Sequence, residues 1–114
     1  MPFINTKVNI SVSEEQETEI KTALGKAISL IRGKSENWLM LNFEDNCRLY
    51  FRGDKTTPSA FIEVKIYGSA SAKEYDDLTA KITEIISSVL NIQPSQIYVK
   101  YEEVEYWGYG GHNF

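Results

Sequence analysis

A chain of 114 residues, 42% apolar and 25% charged, has the makeup of one globular domain, 1–114, built on a single core. Its net charge of −4 and the lack of any basic run argue against nucleic acid as a partner. With no long apolar stretch and no cleavable leader pattern, we expect no membrane span and a cytoplasmic location, and the single Cys47 fits a reducing compartment.

The chain opens Met1-Pro2-Phe3-Ile4. A proline in second place favours removal of the initiator methionine, which would leave a secondary amine at the new terminus. Free α-amino groups have a pKa of about 7.7–8.0, and an apolar setting lowers it by disfavouring the charged form. Such an amine is a usable general base near neutral pH. Many ordinary chains also begin Met-Pro, so the meaning of Pro2 depends on its surroundings.

Residues 2–10 alternate as a strand, with Ile4, Thr6 and Val8 on one face. Ser13 and Gln16 form a capping box ahead of Ile20, Ala23, Leu24, Ala27, Ile28 and Ile31, which share one helix face. Gly33 supplies the left-handed stop. Residues 38–43 are an almost unbroken apolar run, which predicts a strand covered on both faces. A short strand is predicted at 49–51, then a loop through Arg52-Gly53-Asp54-Lys55 to Pro58.

The second half follows the same plan. Residues 60–67 alternate as a strand, and Ser71 and Glu74 make another capping box. Tyr75, Leu78, Ile82, Ile85, Ile86 and Val89 follow at helical spacing, ended by Asn91 and Pro94. Strands are predicted at 97–101 and, shorter, at 107–109. The two caps, Ser13 and Ser71, lie 58 positions apart, as do Gly33 and Asn91. Two β-α-β units, about 1–57 and 58–114, therefore predict an α/β (α+β) fold. Its four-stranded mixed sheet carries both helices on one face and short strands at its edges. The open face would carry Phe3, Glu63, Lys65, Tyr98 and Lys100, and association of subunits through that face or its edges would cover it. The lone His112 and Cys47 make no ligand cluster, so no zinc is expected.

The doubled plan carries further local matches. They are Pro2-Phe3-Ile4 at the first strand, Gly33-Lys34 after the first helix and Pro58-Ser59-Ala60 before the third strand. Ile97-Tyr98-Val99 and the aromatic, glycine-rich tail from Gly108 to Phe114 complete them. In this order and spacing, over essentially the whole chain, the sequence resembles the macrophage migration inhibitory factor and D-dopachrome tautomerase family of amino-terminal-proline tautomerases. The resemblance implies a homotrimer with a site at each subunit boundary. There the terminal proline, here Pro2, moves a proton between carbon and oxygen of a phenylpyruvate-like α-keto acid without a cofactor. It implies Lys34 as the clamp on the substrate carboxylate. Positions matching Tyr67, Tyr98, Lys100, Trp107, Tyr109 and Phe114 line the pocket, some from the neighbouring chain.

A lysine at a helix C-terminus also has a bland role, since it offsets the helix dipole by a few tenths of a kcal/mol. Beside Pro2 it would instead bind an anion and repel a second positive charge. At ~5 Å and an effective dielectric of about 20 that repulsion is roughly 3 kcal/mol, enough to lower a pKa by up to about 2. Three departures from the family are visible. Ser59 and Ile62 stand where the mammalian cytokine members have a Cys-x-x-Cys, Lys100 replaces a pocket asparagine, and the tail is about two residues shorter. A non-catalytic binding or signalling module is the main rival. Decarboxylation or dehalogenation is another, although Arg32, Arg48 and Arg52 match no family site position.

Overall fold

A computed structural model describes residues 1–114. Strand β1 (Pro2–Val8) is followed by helix α1 (Glu14–Ala27) and strand β2 (Met40–Glu44). Strand β3 (Ala60–Tyr67), helix α2 (Ala72–Leu90) and strand β4 (Ile97–Val104) repeat that order. A small ribbon of β5 (Gly108–Tyr109) and β6 (His112–Asn113) ends the chain. The main sheet has the order β2-β1-β3-β4. Each β-α-β unit contributes a parallel pair, and the two units meet through antiparallel β1 and β3. This is the predicted four-stranded mixed sheet.

Both helices start where their caps predict. Ser13 Oγ accepts from the Gln16 N–H at 3.1 Å while Gln16 Oε1 accepts from the Ser13 N–H at 2.9 Å. Ser71 and Glu74 repeat the arrangement at 3.1 and 2.9 Å. Glu74 Oε2 also accepts from the Arg32 N–H at 2.7 Å, tying the chain after α1 to the start of α2. Those backbone hydrogen bonds push its carboxyl down to about 2. Asn91 ends α2 at φ +56, in the left-handed region. Replacing Ser71 by alanine is expected to cost about 1 kcal/mol of stability, read as a lower urea midpoint at unchanged slope.

The core lies between the helices and one face of the sheet. Ile4, Val8, Ile62, Val64 and Ile66 from the sheet are fully buried against Ile20, Leu24, Ile28, Leu78, Ile82 and Ile86. Alternation along the strands sends the intervening side chains to the other face, which neither helix covers. Charges pair across that face, Lys7 with Glu63 at 3.0 Å and Lys100 with Glu102 at 3.0 Å. Asn5 bridges to β2, accepting from Asn42 at 2.9 Å and donating to Glu44 at 2.8 Å.

Two predicted strands are corrected. The run 38–43 is not a strand covered on both faces. Residues Glu36–Trp38 form a turn of 3-10 helix, and β2 starts only at Met40. It lies at the sheet edge, where helices cover one side, so Leu41 and Phe43 are half-buried while Met40 is 68% exposed. Residues 49–51 form no strand and pair with none of the four strands of the sheet. Only a bridge between Phe51 and Asp54 closes the turn, with Arg52 and Gly53 at positive φ. The end of the first helix also differs, since Ile28–Leu30 tighten into 3-10 geometry before Gly33. No helix is long and apolar enough to cross a membrane.

Candidate active site

The first strand begins in a wall of the molecule rather than at a loose end. Pro2 is buried and lies opposite Ile66 in the β1–β3 ladder, and the Tyr67 N–H donates to the Met1 carbonyl at 3.0 Å. The carbonyl of that same Tyr67 accepts from Lys34 Nζ at 2.9 Å. Lys34 reaches it because Gly33, at φ +81, turns the chain back after α1. One residue of β3 thus holds both the start of β1 and the ammonium of Lys34. Burial first, and the positive charge of Lys34 second, hold the α-amine of Met1 below its ordinary value.

A cavity of about 500 Å³ opens beside this point, lined by Met1, Pro2, Phe3, Trp38, Trp107 and Tyr109 among others. From the lining residues Trp38 and Tyr109 an unbroken run of aromatic contacts leads on to Phe114 and Tyr67. Trp38 meets Tyr109 edge-on at 5.2 Å, Tyr109 stacks on Phe114 at 6.3 Å, and Phe114 lies 5.5 Å from Tyr67. The tail is held there by the β5–β6 ribbon and by the Phe114 N–H donating to the Trp107 carbonyl at 3.0 Å. Trp38, Tyr109 and Phe114 each remain about half exposed, so the wall is open on the side away from its own chain. Two other cavities, of about 580 and 790 Å³, are surface clefts with mostly polar or charged linings. Neither includes the chain start or an aromatic wall.

The structure therefore brings Pro2, Lys34, Tyr67, Trp107, Tyr109 and Phe114 to one end of the sheet. It does not bring Tyr98 and Lys100 there. Tyr98 pairs with Phe61, which pairs with Lys7, so it stands at the far end of β1 from Pro2. There it packs on Phe51 at 5.1 Å and Phe61 at 6.3 Å, beside a cavity of about 170 Å³. Lys100 sits mid-sheet on the uncovered face, 3.0 Å from Glu102. Within one chain neither can touch a molecule held at Pro2.

Sequence reasoning missed Trp38 and Lys65 as lining residues of the cavity. Trp38 was hidden inside an apolar run that reads as a strand, although its place four residues after Lys34 put it near the turn. Lys65 shows only as one polar residue of an alternating strand. No group of His, Cys, Asp and Glu side chains is placed to hold a metal ion.

Comparison with known proteins places this architecture. A sequence model described as "Macrophage migration inhibitory factor (MIF)" matches residues 1–113. No curated protein sequence matches the chain. Among solved structures, MIF2 of Leishmania major is similar at 29% identity and a TM-score of 0.92, over 100% of this chain and 97% of that one. A macrophage migration inhibitory factor-like protein of Entamoeba histolytica is similar at 23% identity and a TM-score of 0.86, over 99% and 98%. The homologue from Prochlorococcus marinus gives 22% identity and 0.82, over 98% of each chain. With a family match that leaves out only Phe114 and a shared fold over the full length, the chain belongs to the macrophage migration inhibitory factor family.

Proposed function

We propose that the chain is a cofactor-independent keto–enol tautomerase of phenylpyruvate-like α-keto acids, with Pro2 as the proton carrier after removal of Met1. The observation that supports it most is the buried chain start next to Lys34 at the mouth of an aromatic cavity. In the processed chain the nitrogen of Pro2 becomes a secondary amine in the setting that lowers the pKa of the Met1 amine. As a free base it takes the proton from the enol hydroxyl or the α-carbon. It then returns that proton to the other atom, so that the keto and enol forms interconvert with no net gain or loss. Lys34 holds the carboxylate, and the aromatic wall takes the phenyl ring. Losing Met1 also frees the Tyr67 N–H, whose partner here is the Met1 carbonyl, as a donor to the bound acid. The test is phenylpyruvate ketonisation by protein whose intact mass proves the loss of Met1. No turnover in such a sample overturns the reading.

The working unit in this reading is a homotrimer. The half-exposed aromatic wall, the unpaired edge of β2 with exposed Met40, and the outlying Tyr98 and Lys100 all call for a neighbouring copy. A 4-OT structure with the same fold, 16% identical, is named as an asymmetric trimer. Tyr98 and Lys100 would then enter the cavity of the adjacent subunit. Sedimentation at micromolar concentration is expected to give three times the 13.0 kDa chain mass. A stable monomer would separate Tyr98 and Lys100 from any site.

A further inference from the structure

The cavity beside Pro2 has one charged side chain in its lining, and it is Lys65 rather than Lys34. Lys65 faces Phe3 across the β1–β3 ladder, whereas Pro2 faces Ile66. Lys65 and Tyr67 therefore project to the same uncovered side of β3, one on each side of the residue paired with Pro2. Lys34 is fixed at the Tyr67 end through its 2.9 Å bond to that carbonyl. Two ammonium groups, carried by different parts of the fold, bracket the start of β1.

Ion pairing inside the chain does not account for Lys65. Its nearest carboxylate, Glu102, is 3.8 Å away and already serves Lys100 at 3.0 Å. Glu63, the neighbouring acid on this face, is committed to Lys7 at 3.0 Å. Lys65 and Glu102 are each more than one third exposed, where a pair at the distance limit contributes little. The charge of Lys65 is thus only partly neutralised, on a cavity wall that is otherwise aromatic and aliphatic. An anion bound there would gain a charge-assisted hydrogen bond.

A phenylpyruvate-like acid carries one carboxylate, and Lys34 accounts for it. We infer that Lys65 is a specificity-determining residue that selects α-keto acids carrying a second carboxylate, an inference that rests on reading this cavity as the tautomerase site. The first carboxylate goes to Lys34, the reacting carbons lie at Pro2, and the second carboxylate goes to Lys65. A cavity of about 500 Å³ has room for such a molecule beside the aromatic wall.

Binding of two reduced analogues that cannot enolise separates this inference from the catalytic one. Malate has two carboxylates and phenyllactate has one. Calorimetry on the Met1-free protein and its Lys65→Met and Lys65→Arg variants, each first shown to keep the wild-type sedimentation, reads the difference. Lys65→Met is expected to weaken malate by about tenfold or more and phenyllactate by less than about threefold, and Lys65→Arg to restore malate binding. Equal weakening of both ligands, no effect on either, or no malate binding to the wild-type protein at millimolar concentration overturns the inference. Phenylpyruvate turnover in the same samples reports on the catalytic reading alone. Its absence would remove the tautomerase and leave the role of Lys65 to be decided by the binding data.

Discussion

Replacing Pro2 by alanine in chains freed of Met1 is expected to slow phenylpyruvate ketonisation by roughly 10²-fold or more, the scale on which a positioned base acts. Alanine keeps a terminal amine but loses the ring that fixes its direction, and β1 still begins opposite Ile66. The fold should therefore survive, and sedimentation should match the wild-type protein. Retention of Met1 is the sharper form of the same test. It turns the nitrogen of Pro2 into an amide, which has no basicity, and returns the Tyr67 N–H to the Met1 carbonyl. Preparations graded by intact mass should show activity in proportion to the Met1-free fraction. Full activity in a sample proven to keep Met1 would remove Pro2 from the mechanism.

The second large effect is expected from Lys34→Ala. Lys34 has two separable roles in the proposed site, binding the carboxylate and setting the charge around the amine. Loss of a hydrogen bond to a charged group costs about 1.5–3 kcal/mol, so KM for phenylpyruvate should rise by roughly ten- to a hundredfold. The electrostatic role has a definite sign. A nearby ammonium disfavours a second positive charge, so Lys34 keeps the pKa of the chain-start amine low, adding to the larger effect of burial. Removing that charge raises the pKa, leaves less free base at a given pH, and moves the acidic limb of the kcat/KM profile to higher pH. The burial contribution stays, so the limb should not reach the position of an exposed amine. A lysine that merely offsets the dipole of α1 predicts neither effect. Unchanged KM with an unmoved acidic limb would leave Lys34 only its structural bond to the Tyr67 carbonyl.

The doubled β-α-β plan was legible in the sequence because its signals are local. Capping boxes at Ser13 and Ser71, apolar spacing by threes and fours, and the left-handed stop at Asn91 involve residues a few positions apart. Their energetics are settled within one helix turn. Alternation in 60–67 likewise assigned a buried and an open face, and the structure keeps both. The family resemblance added Pro2 and Lys34 as candidates, which the fold then joined through the backbone of Tyr67.

Strand register was a different matter, because it joins segments 37 to 64 residues apart in sequence. The antiparallel pairing of Pro2 with Ile66 and of Lys7 with Phe61 decides that Lys65 and Tyr67 flank the chain start. The parallel pairing of Phe61 with Tyr98 sends Tyr98 to the opposite end of the sheet. No pattern within either strand specifies those partners, since period-two alternation fits any register shifted by two. The same limit explains the run 38–43, whose apolar composition reads as a strand buried on both faces. Only the position of β2 at the sheet edge, with helices on one side, leaves Met40 exposed and releases Trp38 to the cavity. Sequence by itself determined the elements and the faces they bury. The tertiary structure decided which side chains meet at Pro2, because that depends on long-range pairing and on which sheet face the helices leave open.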